Sequence, residues 1–259
     1  MLLAAEGLAN AEIARRVGVS GPTVLQAHRV LSMVLSLAVR DNRISRNPAS
    51  GVRLPRGSSR EHRYLTHQEV AALAHAAGDD GGLVIQVLAY TGLRFGELAA
   101  LRVHRVDLTR RRILIAESVT EVRGKAVFGD PKTHAARAVP VPQFLADQLA
   151  AQVDEQPPDT FVFPARRGGV LRLRNWRREV FNPAVKSSGV QELTPHDLRH
   201  TAASLAIAAG ANVKAVQRML GHASAAMTLD VYSGLFEDDL DGVAERLNEH
   251  AYAQSPMRT

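Results

Sequence analysis

Cysteine is absent from the 259 residues, which excludes disulfides, thiol nucleophiles and thiolate metal sites together and fits a reducing, cytoplasmic compartment. Aromatic residues make up only 5% of the chain, with one tryptophan and four tyrosines. Lysine occurs four times, at Lys125, Lys132, Lys186 and Lys214, so the basic character rests on arginine. No apolar run approaches the roughly 20 residues that cross a bilayer. Even the stretch from Val30 to Val39 is interrupted by Ser32 and Ser36. The N-terminus carries Glu6 where a secretory leader needs a basic start and an unbroken apolar segment. No membrane role is expected. What remains is an average globular composition, 46% hydrophobic and 22% charged, in a chain long enough for one large domain or two ordinary ones.

Charge is unevenly placed. Lys plus Arg number 32 against 26 acids, a net +6 that suits a polyanionic partner. One basic cluster holds Arg40, Arg43, Arg46, Arg53, Arg56, Arg60 and Arg63 against Asp41 and Glu61 alone. A second joins Arg166, Arg167, Arg172, Arg174, Arg177 and Arg178. The C-terminal stretch instead carries Glu237, Asp238, Asp239, Asp241, Glu245 and Glu249. Such polarity fits a protein that lays one side on nucleic acid, with both arginine clusters as candidate DNA contacts.

Along the chain, apolar residues recur at three- and four-residue steps from Pro22 to Arg40 and predict an amphipathic helix. Before it, the stretch from Leu8 through Gly18 and Ser20 to His28 has helix, glycine turn, helix spacing, a possible helix-turn-helix. Asn47-Pro48 and the basic, Pro/Gly/Ser-rich run that follows place a linker at 48–63, between a short helical domain at 1–47 and a larger one at 64–259. Thr66 and Glu69 form a capping-box pattern that opens the second domain. Helices are expected near 67–77, 81–91, 95–101, 143–152, 174–186, 196–209, 212–220 and 240–250, with strands at 112–116 and 138–141 in a small meander. The fold class expected is therefore mainly α with a small antiparallel sheet, an α+β arrangement. Trp176 and Phe181 are expected as core anchors.

Four separated segments carry polar residues that packing does not explain: Thr91-Gly92-Leu93-Arg94-Phe95-Gly96-Glu97-Leu98, Gly129-Asp130-Pro131-Lys132-Thr133, Thr194-Pro195-His196-Asp197-Leu198-Arg199-His200-Thr201, and Leu220-Gly221-His222 with Tyr232 downstream. In this order, over residues 64–236, they resemble the catalytic domain of the tyrosine recombinases, the phage integrase family. The segment with His28-Arg29-Val30-Leu31 and Asn47-Pro48-Ala49 looks like the end of that family's core-binding domain, and the usual start of that domain is not fully present. The resemblance implies a site-specific recombinase acting on double-stranded DNA as a homotetramer on paired sites, with an accessory directionality protein as a possible partner, and with neither metal nor ATP. A type IB topoisomerase-like activity, or a truncated, inactive relative acting as a DNA-binding regulator, are the alternatives.

The residue chemistry agrees with that resemblance. Metal-free phosphodiester cleavage needs a nucleophile, cationic donors for the charge growing on the phosphate oxygens, and an acid for the departing 5′ oxygen. Tyr232 is the expected nucleophile, Arg94 and Arg199 offer planar forks, and Lys132 is placed to protonate the leaving group. His196 and Arg199 share a helix face three residues apart, Thr194 and Pro195 start that helix, and His222 follows a glycine that lets a helix end turn. Glu97 is expected to orient Arg94, and His200 to pack behind the site. His196 and His200 also have the spacing of a zinc pair, but no glutamate follows the first histidine and no third ligand is evident. No nucleotide-binding signature occurs, so no cofactor is expected.

Overall fold

The computed structural model describes residues 18, 21–52, 63–79, 81–131, 136–190, 192–235, 243, 245, 247–249 and 251–252. The chain divides into two compact units, Met1–Glu61 and His62–Thr259. In the first, helix α1 spans Gly21–Arg40. The Asn47 side-chain amide donates to the Ser32 carbonyl at 3.0 Å and to Ser36 Oγ at 2.9 Å, folding the Asn47-Pro48 turn back onto the helix. Most of the expected helix-turn-helix at 8–28 lies outside the described residues.

The second unit opens with α2 (His67–Ala76), where Glu69 Oε2 accepts the Thr66 amide at 2.8 Å as the capping-box pattern requires. Helix α3 (Gly82–Thr91) follows and is buried at most positions. It ends at Gly92 in the left-handed conformation, φ 66°, and Arg94 caps the short α4 (Phe95–Ala99). The strands are β1 (Val106–Asp107), β2 (Arg112–Ile115), β3 (Ser118–Val122), β4 (Lys125–Gly129) and β5 (Arg137–Pro140).

The sheet differs from a simple meander. β1, β2 and β5 form one antiparallel sheet in that order, while β3 and β4 stand apart as a hairpin. Ile113, Ile115 and Val139 point into the core, so the hydrophobic alternation selects the β2–β5 pairing across the intervening hairpin. The hairpin closes through Arg123 and Gly124, both at positive φ, the geometry a two-residue loop needs to match strand twist.

Helix α5 (Gln143–Val153) is followed by α6 (Leu173–Trp176), a π turn (Arg177–Phe181) and α7 (Asn182–Ser187). The single helix expected over 174–186 is thus broken by a change of hydrogen-bond pattern just before Pro183, which has no amide proton to donate. Trp176 and Phe181 are both buried. Helix α8 (Pro195–Ala208) packs along α3, and α9 (Val213–Leu220) and α10 (Ala225–Tyr232) complete the bundle. Of the helix expected at 240–250, positions 243, 245 and 247–249 are helical and the others lie outside the described residues. Among the described residues no helix is long and apolar enough to cross a membrane.

Candidate active site

The site is assembled where α3 ends, α4 and α8 begin, and α9 turns into α10. Gly92 has its left-handed φ because α3 must stop there, and a Cβ at this position would lie 2.6 Å from Leu220 Cδ2 and 3.4 Å from Ala202 Cβ. Its buried helix-end carbonyl accepts from Arg199 Nη1, and Arg199 Nη2 donates to the Leu220 carbonyl at 2.6 Å. One guanidinium on α8 therefore ties together the ends of α3 and α9, satisfying two carbonyls that a helix terminus leaves without intrahelical partners. Burial, and next the like charge of Arg94, pull Arg199 down to about 9, so it stays cationic at neutral pH.

Arg94 donates from its amide to Glu97 Oε2 at 2.9 Å and from Nη1 to Oε1 at 3.0 Å. Its side chain is 24% exposed while that of Glu97 is fully buried. Burial alone would raise the Glu97 carboxyl. The hydrogen bonds and charge of Arg137, with those of Arg94, overcome that and hold it below the ordinary carboxylate range.

Helix α8 begins as its sequence requires. Pro195 occupies its first turn, and Asp197 Oδ2 accepts both the Thr194 amide and hydroxyl at 2.7 Å. His196 is exposed on that first turn, Arg199 is buried, and His200 lies one turn deeper, its ring edge-on to that of His196 with centroids 4.9 Å apart. His200 Nδ1 is 2.8 Å from the Tyr232 hydroxyl. His222 follows Gly221, left-handed at φ 65°, and its Nδ1 lies 3.0 Å from Thr228 Oγ1 on α10. Burial first, then the charges of Arg199, Arg94 and Arg137, lower His222 to about 4, so the imidazole is neutral at pH 7.

Tyr232 ends α10 with 2% exposure, its ring centroid 6.4 Å from that of Tyr64. Burial pushes its phenol up to about 12, with Arg199 pulling the other way. The hydroxyl expected to face a phosphate is therefore enclosed, and its hydrogen-bond partner is His200 rather than His196. His200, expected to pack behind the site, is buried and also meets Tyr232, a contact that sequence alone does not show because the tyrosine lies 32 positions later.

The structure brings Arg94, Glu97, Arg199, His200, His222 and Tyr232 into one cluster with His196 at its rim. Lys132 lies outside the described residues. Sequence reasoning missed Arg137, whose guanidinium meets Glu97 through Nη1 at 2.9 Å and Nη2 at 2.6 Å. The one signal for it was a lone cation opening the strand that follows the Lys132 turn. Among the described residues no three His, Asp or Glu side chains converge as a metal site.

The arginine clusters are mostly surface. Arg40, Arg43 and Arg46 are exposed, Arg53, Arg56 and Arg60 lie outside the described residues, and Arg63 pairs with Glu69 at 3.1 Å. Arg166, Arg167, Arg172, Arg174, Arg177 and Arg178 are all exposed, and Arg172 reaches Glu121 at 3.6 Å. Arg172, Arg174, Arg177 and Arg178 line a groove of about 620 Å³ whose wall includes Phe95 and Gly96, the residues next to Arg94.

Comparison with known proteins bears on the fold and the family. The integrase of Mycobacterium phage L5 is 28% identical over 233 residues, covering 87% of this chain and 62% of that protein, so the chain spans less than two thirds of that relative's length. Tyrosine recombinase XerC of Mycobacterium tuberculosis is 27% identical over 245 residues, 90% of this chain and 79% of the relative. Among solved structures, the Tn1549 transposon integrase in complex with a circular intermediate DNA superposes with a TM-score of 0.75 at 25% identity, covering 92% of this chain and 83% of that one. A lambda integrase dimer bound to a core site superposes with a TM-score of 0.66 at 19% identity, over 87% and 76% of the two chains. Residues 63–238, well over half of the chain, match the phage integrase family, and to that family of tyrosine recombinases this protein belongs.

Proposed function

We propose that the protein breaks and rejoins double-stranded DNA at specific sites, with Tyr232 as the nucleophile. The observation that carries this reading is the gathering of Arg94, Arg199 and His222, from three separate segments, around Tyr232 at the end of α10, whose hydroxyl meets His200. Arg94 and Arg199 take the non-bridging oxygens of the scissile phosphate, where two guanidinium groups in an enclosed site stabilise the charge of the pentacovalent transition state. His222, neutral at pH 7, adds a further hydrogen bond. The Tyr232 oxygen forms a bond to phosphorus, the bond from phosphorus to the 5′ oxygen breaks, and the phenol proton passes to His200. The 5′ oxygen takes a proton from Lys132. Attack by a different 5′-hydroxyl on the resulting 3′-phosphotyrosine reverses these steps and releases the tyrosine, so no external energy source is consumed.

Two features shape the reaction. At 2% exposure the hydroxyl has no space for a phosphodiester, so α10 shifts before attack and opens the Tyr232 hydroxyl to the phosphate while His200 stays within reach as the proton acceptor. The groove beside Arg94 extends the cationic surface to Arg172, Arg174, Arg177 and Arg178, where neighbouring phosphates bind. The relatives solved with DNA support a duplex as the substrate, and a homotetramer on two paired sites follows the family resemblance.

The decisive experiment incubates the protein with a pool of duplexes of randomised sequence, each carrying a nick at one fixed position, so that cleavage beside the nick releases a short fragment and cannot be religated. Denaturing electrophoresis is expected to show a covalent protein–DNA adduct with the natural protein and none with Tyr232→Phe. DNA binding without an adduct from the natural protein would support a recognition-only relative instead.

A further inference from the structure

Arg137, at the start of β5, has its side chain only 10% exposed. Its fork grips both oxygens of Glu97, and its Nε–H donates to the Met219 carbonyl at 3.1 Å. Glu97 thus takes four donors, two from the Arg137 fork and two from Arg94. The bidentate partner is Arg137, whereas Arg94 gives the carboxylate its amide and Nη1 and keeps a part-exposed side chain. A carboxylate bound head-on by Arg94 would neutralise the cation a phosphate needs. With Arg137 as its counter-ion, Glu97 becomes a rigid rest against which Arg94 is aimed.

The same side chain packs against the turn that carries His222. A Cβ on Gly221 would stand 2.9 Å from Arg137 Cδ and Nε and 3.0 Å from Cζ. Met219, whose carbonyl Arg137 holds, is two residues before Gly221. Arg137 therefore touches the supports of two groups that converge on the phosphate, from a strand that joins neither of them in sequence.

We propose that Arg137 is a positioning residue for strand cleavage, holding Arg94 through Glu97 and the His222 turn through Met219 and Gly221. This rests on the Tyr232 reading for its effect on rate. Its geometric half is testable without catalysis. Single-turnover adduct formation on the nicked duplexes, DNA affinity and thermal unfolding are measured for the natural protein, Arg137→Ala and Arg137→Lys. Misplacement of reacting groups by about an ångström is expected to slow Arg137→Ala about 100-fold, with affinity within about threefold. Arg137→Lys keeps the charge without the fork and is expected to be about tenfold slow. Guanidinium added to Arg137→Ala restores part of the rate, and the acid limb of its pH profile moves upward because Glu97 has lost its main counter-ion. In parallel, the His222 imidazole resonances of the protein alone shift in both variants.

A folded Arg137→Ala with a natural rate, or one whose rate falls only in step with DNA affinity and whose acid limb stays in place, overturns the proposal. If Arg137→Ala fails to fold, Arg137→Lys decides, and a natural rate there overturns it. If the natural protein itself makes no adduct, the Tyr232 reading fails, and unshifted His222 resonances then reject the brace separately.

Discussion

His222 shows how a site in this protein tunes a side chain whose free value lies near neutrality. Its neighbours are cations and its surroundings are half-buried, so both influences favour the neutral ring. Because the folded chain holds His222 at about 4 against about 6.5 when unfolded, only the unfolded chain takes up this proton between those values. Its contribution to stability is present above pH 6.5 and is lost as the pH falls toward 4. Denaturant midpoints at pH 7 and pH 4.5 are expected to lie closer together in His222→Gln than in the natural protein, and an unchanged gap would contradict this account. Six candidate residues of four types, arginine, lysine, histidine and tyrosine, could be singled out in the sequence because phosphate chemistry restricts what can serve. Arg137 could not, since a brace differs from a surface arginine only in what it touches.

Elements were legible where periodicity or a cap announced them, as at α1, α2 and α8. Helix α10 was not, because its buried residues, Thr228 and Tyr232, give an inward face with no aliphatic stripe. Spacing likewise hid the π turn at Arg177–Phe181, which changes the hydrogen-bond ladder without changing composition. Close packing of α4 against β3 was hinted at by the glycines flanking Arg94. A Cβ at Gly96 would run into the Val119 carbonyl oxygen and come within 2.9 Å of Ser118 Oγ, whereas one at Gly129 meets nothing within 4 Å. Gly96→Ala is accordingly expected to lose about 1–3 kcal/mol of stability through overpacking, with Gly129→Ala near neutral, as read by chemical denaturation. Equal losses at the two positions would show that backbone freedom, not space, is what glycine supplies there.

At the scale of the whole molecule, binding to a polyanion is governed by where the arginines stand. The exposed set from Arg172 to Arg178 borders the groove whose wall includes Phe95 and Gly96, next to Arg94, and Arg174 and Arg177 are in no described ion pair with an acid. If each contacts one phosphate, the double variant Arg174→Ala, Arg177→Ala reduces the slope of log affinity against log salt by about 2, since each neutralised phosphate contributes about 0.9. Fluorescence anisotropy on a duplex at several salt concentrations checks this. A slope that does not move removes these residues from the DNA contacts while leaving the chemistry of Tyr232 untouched.

By itself the sequence determined the mainly helical class, the capped start of α8, and the candidate reactive residues in their order, because short-range periodicity, capping and phosphate chemistry are written in local patterns. Only the folded chain decided that β2 pairs with β5 across a hairpin, that Glu97 answers to Arg137, and that Tyr232 rests buried on His200. Those outcomes depend on contacts between residues 22 to 40 positions apart, where burial and charge neutralisation are settled by the packing of the whole core and no local pattern carries the information.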